Sequence, residues 1–170
     1  MFTLSTPHSR QEPWNKGKLV GQKLPLTMQE IWSIRMHLQT DGDLRDLALF
    51  NLAIDSKLRA CDPLALPVSD VVRGGEVQSR TIVRQQKTKR AVRFENTART
   101  RKSIGGGIGA VDLSGAAFRF PGRIRHSLHL FTRHYARIVD AWLTSIALYP
   151  AAYGTHSMRR TETALIYRRT

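Results

Sequence analysis

The stretch "GTHSMRRTETALIYRRT", residues 154–170, decides the reading of this chain. Its polar opening and later apolar residues suit a helix that carries Met158, Ala164, Leu165 and Ile166 inward, with Thr155 as its cap. On such a helix His156 and Arg159 lie three apart on one face, so both side chains can converge on one small target. The plain alternative is a capped, salt-bridged helix start.

Two earlier segments supply groups of matching chemistry. In "LRACDPLAL", residues 58–66, Arg59 follows directly on the most apolar helix of the chain. A guanidinium on so buried a scaffold is costly without an anionic partner, and Asp62 is one internal candidate. In "QKTKRAVRF", residues 86–94, Lys87 sits at the tip of a basic hairpin, where an ammonium could reach a phosphate or simply be solvated. Two arginines, a lysine and a histidine in a core-supported frame describe a phosphoryl-transfer site. Guanidiniums grip non-bridging oxygens in bidentate fashion, a lysine can protonate a leaving oxygen, and a histidine can hold the phosphate or move a proton. No carboxylate cluster stands ready for magnesium, so the expected chemistry uses no metal and no cofactor.

Charge points to the same kind of partner. The 170 residues hold 27 Lys and Arg against 13 acidic residues, a net +14 with a pI near 11. Between Arg73 and Lys102 ten basic residues face two acidic ones, so this segment alone carries +8. Such a chain suits a polyanion, nucleic acid first. Arg84, Lys89, Arg90 and Arg93 are the candidate DNA-binding residues of that segment. No apolar run nears the ~18 residues that span a bilayer, and the N-terminus has no secretory h-region. The lone Cys61 excludes an internal disulfide framework, which makes the cytoplasm, with the nucleoid, the expected compartment.

Along the chain, residues 1–24 read as a flexible basic arm and residues 25–170 as one domain. Thr27 with Glu30 forms a capping-box signature before a stripe of Ile31, Ile34 and Leu38. "TDGD" (40–43) breaks that helix, and Asp43 caps a second with Leu44, Leu47, Ala48, Leu52 and Ile54 inward. Pro63 and Pro67 keep the next helix short, with a strand beginning near Val68. Gly74-Gly75 and the alternation in "VQSRTIV" and "RAVRF" predict a small three-stranded antiparallel sheet, one face on the core and one basic. "NTARTRKSI" returns to helix, "GGGIGA" and the residues to His129 read as loop, and a further helix carries Tyr135, Ile138, Val139, Trp142 and Ile146. The fold class is α+β, mostly helical. The Gly run lacks the flanking strand and Lys of a phosphate loop, His126, His129 and His134 have no nearby carboxylate or cysteine for a metal, and Cys61 reads as a small core residue.

The order Arg59, Lys87, His156-x-x-Arg159, together with "RDLALFNLAI" (45–54), resembles the catalytic domain of the tyrosine recombinases, the phage integrase family. The likeness runs from about Gly21 to Thr170. It implies the DNA breaking-and-rejoining fold and strand cleavage by a tyrosine hydroxyl, giving a 3′-phosphotyrosine and a free 5′-hydroxyl. Arg59 and Arg159 would clamp the phosphate, Lys87 would act as general acid, and His156 would contact the phosphate or act as base. Duplex DNA and other recombinase protomers would be the partners.

The sequence departs from the family at several points. Lys57 stands where Gly is frequent, Pro63 follows the usual acidic position, residues 104–110 replace a helix with "IGGGIGA", and an N-terminal core-binding domain is absent. The later His or Trp box and the nucleophilic tyrosine are also missing, which suggests truncation at the C-terminus. Tyr167 lies about 12 Å along a helix axis from Arg159 and about 16 Å from His156, too far to substitute. The expectation is a DNA-binding recombinase domain without a nucleophile. Its alternatives are a non-catalytic DNA-binding remnant that interferes with a full-length relative, and a basic RNA-binding protein.

Overall fold

The computed structural model describes residues 21–110, 120 and 130–168. Residues 1–20 of the expected arm, and His126 and His129, lie outside the described residues. Residues 21–26, of which Leu26 is buried in the core, lead into α1 (Met28–Thr40), α2 (Leu44–Ser56), α3 (Cys61–Leu64) and α4 (Val68–Val71). Four short strands follow: β1 (Val72–Arg73), β2 (Glu76–Val77), β3 (Arg80–Arg84) and β4 (Ala91–Glu95). The described helices close with α5 (Ala98–Ala110), α6 (Thr132–Ser145) and α7 (Thr155–Tyr167).

Helix α2 is the hub. Every residue from Asp46 to Ser56 is buried, because α1, α5 and α7 all pack on it. Its start is set by Asp43, whose side chain accepts the Asp46 N–H, and α1 starts on the complete Thr27–Glu30 capping box. The stripes of α1 and α6 are inward as expected. Phe50 meets Trp142 edge-on at 5.3 Å between ring centroids, and the Trp142 indole donates to Asp46 Oδ2 at 3.2 Å. Leu44, expected inward, is exposed at the first position of α2, where its side chain leans away from the packed turns.

The strands form two antiparallel pairs rather than one three-stranded sheet. Up to Val77 the second strand pairs with β1, and from Arg80 onward the chain pairs with β4. Between them Gln78 N–H turns to Val71 and Asn96 N–H reaches Ser79 O, which breaks the ladder. Val68, expected to open a strand, opens the single turn α4, with Pro67 extended at its N-cap and Asp70 N–H closing the turn on Pro67 O at 3.1 Å. In β3 and β4 the alternation holds: Thr81, Val83 and Phe94 face inward, while Arg80, Arg84 and Arg93 face out.

The Gly run is helical, not a loop. Helix α5 continues through Gly105–Gly107 to Ala110, and a Cβ at Gly107 would stand 3.4 Å from the Leu44 carbonyl oxygen of α2. Packing on α2 outweighs the poor helix propensity of glycine. The N-cap of α7 is Gly154, not Thr155. Its φ of 152° with ψ of −168° belongs to a region essentially reserved for glycine. Met158 is buried and Leu165 partly so, whereas Ile166 is exposed near the end of the helix, past its packed turns.

Candidate active site

The segment bearing Arg59 is shaped by the end of α2. Lys57 ends that helix in the left-handed conformation, φ 56°. Leu58 is buried, and Arg59 O accepts the Asp62 N–H at 2.8 Å, starting α3. Arg59 is half-buried, and its Nη1 is enclosed with no hydrogen-bond partner. The internal partner considered for it does not serve: Asp62 Oδ1 accepts the Gln86 backbone N–H at 2.9 Å and the Cys61 thiol at 3.7 Å, while Oδ2 is itself buried and unpaired. Among the described residues this buried donor is left unanswered, a costly state for a guanidinium.

Lys87 is exposed in the turn joining β3 to β4. The turn is closed by Gln85 N–H to Arg90 O and Lys89 N–H to Gln85 O, both 2.9 Å. Lys89 is left-handed, φ 57°, and its carbonyl accepts from Arg84 Nε at 3.0 Å. Gln86 binds Asp62 through its backbone and Cys61 O through its side chain. The hairpin tip is thus fastened to the very turn that presents Arg59.

Arg159 projects from α7, which Ser157, Met158 and Thr161 anchor in the core. With Ser56, Leu58, Gln85 and Arg93 it lines a cleft of about 730 Å³ between α2, the β3–β4 hairpin and α7. The immediate chain neighbours of Arg59 and of Gln86 therefore wall this cleft. Lys57 Nζ and Glu162 Oε1 approach to 3.6 Å across it. His156 is exposed, and it opens onto a neighbouring depression lined by Gly21, Gln22, Lys23 and Arg160. Of the four expected site residues Arg159 alone lines this cleft; Arg59 stands next to its wall residue Leu58, Lys87 lies two residues from its wall residue Gln85, and His156 lines a separate depression.

Of the candidate DNA-binding residues, Arg93 lines the cleft, Arg84 braces the hairpin, and Lys89 and Arg90 are exposed at its end. Sequence reasoning missed Arg80 and Glu162 as cleft residues. Their signals were present: Arg80 shares the period-2 face of Arg84, and Glu162 lies three after Arg159. Cys61 is not a core residue; it is half-buried and lines a small pocket with Gln86 and Phe131. Burial, then the Asp62 charge, raises its thiol above the usual range.

None of the four tyrosines lines the Arg159 cleft. Tyr135 is buried beside Trp142, and desolvation drives its hydroxyl well above the usual range. Tyr153 donates to Glu30 Oε1 at 3.4 Å. Tyr149 and Tyr167 are exposed. Among the described residues no three His, Cys, Asp or Glu side chains are grouped to hold a metal, and no helix is long and apolar enough to cross a membrane.

Three solved structures share the fold over most of the chain. XerA recombinase superposes with a TM-score of 0.70 at 17% identity, covering 88% of this chain and 52% of that one. Lambda integrase (residues 75–356) bound to DNA gives 0.62 at 16%, covering 86% and 51%. XerH site-specific recombinase in a pre-cleavage complex with its difH substrate gives 0.66 at 13%, covering 87% and 44%. The fold is that of the tyrosine recombinase catalytic domain. The chain spans about half the length of these recombinases. No family model and no curated protein matches the sequence.

Proposed function

We propose that this chain is a tyrosine-recombinase-type domain that binds duplex DNA and grips one backbone phosphate between Arg59 and Arg159. The observation that carries this is the buried, unpartnered Nη1 of Arg59 beside the cleft that Arg159 lines. Two guanidiniums neutralise the non-bridging oxygens, most strongly as negative charge builds in a pentacoordinate transition state. The Asp62–Gln86 bond at the hairpin tip supports Lys87 as the group that would protonate a departing 5′-oxygen were a nucleophile supplied, and the exposure of His156 supports it as a phosphate contact. Arg84, Lys89, Arg90 and Arg93 extend the cationic surface along the duplex, and further protomers of the recombinase type are natural partners on it.

These 170 residues bind without cleaving, because no tyrosine hydroxyl faces the clamp. A nicked suicide substrate tests this: the chain should retain the DNA while forming no covalent adduct. An adduct trapped at any of its tyrosines would overturn the reading. Preference for single-stranded RNA over duplex DNA at equal salt would favour the RNA-binding alternative instead.

A further inference from the structure

The segment before α1 does more than lead into the domain. Leu24 N–H donates to Ala152 O at 3.1 Å, and Leu26 N–H to Thr161 Oγ1 at 3.0 Å. Arg160 Nη1 donates to Lys23 O at 3.0 Å, and the Lys23 ammonium donates to Ala151 O. The strap is therefore tied to α7 and to the turn before it, and the Lys23 stem passes beside Gly154. Its result is a depression of about 440 Å³ where Lys23, His156 and Arg160 meet.

Among the described residues no carboxylate lines this depression, and none is bonded to Lys23 or Arg160. Both cations are held by carbonyl oxygens, which orient them and leave their charge unneutralised. Each keeps further N–H donors beyond the one it spends on the strap. A preformed pair of cations with unspent donors, next to an exposed imidazole, suits a tetrahedral dianion or monoanion.

We propose that Lys23 and Arg160 form a second phosphate seat beside His156, taking a DNA backbone phosphate near the one held by Arg59 and Arg159. This rests on the reading of the cleft as a DNA clamp. The strap acts as a positioning device, since Arg160 holds the backbone of the residue whose ammonium it joins.

The salt dependence of duplex affinity tests this. Each phosphate contact contributes a slope of about −0.9 to log K against log[salt]. Lys23→Gln should reduce the slope by about 0.9, Lys23→Arg should preserve it, and Arg137→Gln, on the exposed face of α6, should not change it. An unchanged slope for Lys23→Gln, in a chain whose binding still falls with Arg59→Met, would overturn the second seat and leave the clamp standing. Failure of the unaltered chain to bind duplex DNA would overturn the clamp reading itself. Should Lys23→Gln lower the melting temperature, the Lys23→Arg variant separates charge from strap integrity.

Discussion

The Asp62 carboxylate accepts the backbone N–H of Gln86 at 2.9 Å, joining two segments 24 residues apart. One segment carries Arg59 and the other Lys87, so this bond ties together the two segments that the proposed phosphate clamp needs. Asp62 is almost wholly buried, which makes the bond strong and its loss expensive. Asp62→Ala should destabilise the fold by about 1–3 kcal/mol in urea unfolding, and should lower duplex affinity beyond any unfolded fraction. Asp62→Asn keeps an acceptor at Oδ1 and should recover most of both losses. Equal affinity for all three proteins would show that the hairpin tip is placed by other contacts.

Helix α5 carries a penalty that the fold tolerates. Gly105 and Gly106 are exposed helical residues, and a Cβ at either would meet nothing within 4 Å. Gly106→Ala should therefore raise stability by about 1 kcal/mol, read as a shift in the urea midpoint at constant m-value. Destabilisation would mean that the helix in solution is interrupted at the Gly run.

That helix also marks where sequence reasoning stops. Thr27, Asp43 and the Ile31–Ile34–Leu38 stripe were legible because capping and periodicity are local signals. The recombinase fold was legible as a resemblance, since Arg59, Lys87, His156 and Arg159 fell in order among suitable elements. The Gly run was misread because its helicity comes from α2, whose Leu44 and Ala48 lie more than fifty residues away in sequence. The split sheet was hidden for the same reason: the Asn96 amide that interrupts the ladder acts from beyond β4, donating to Gln78 O and Thr81 Oγ1. Nor could spacing reveal that Asp62 would bind the hairpin rather than Arg59.

Cys61 offers a pH-dependent probe of the same corner. Burial and the neighbouring Asp62 charge both disfavour its thiolate, so its folded-state pKa lies above the ordinary thiol value. At pH 8 the thiolate fraction is correspondingly small, and alkylation by iodoacetamide should be slower than for a free thiol. The rate should climb with pH to a midpoint above that of the denatured chain. Asp62→Asn removes the like charge and should move the midpoint down, speeding alkylation at pH 8. An unshifted midpoint would show that Asp62 exerts no field on the thiol.

The central claim is that Arg59 is held unpaired for a phosphate, not for the fold. Measuring stability and duplex affinity together on Arg59→Met, alone and combined with Arg159→Met, separates these roles. An arginine kept for the fold destabilises the protein when replaced, whereas one kept for a ligand does not. The account predicts that Arg59→Met leaves the melting temperature of the DNA-free protein unchanged or higher. It predicts that affinity falls at least about tenfold per arginine, the equivalent of one charge-assisted contact of about 1.5 kcal/mol. A lower melting temperature with undiminished duplex affinity would contradict it.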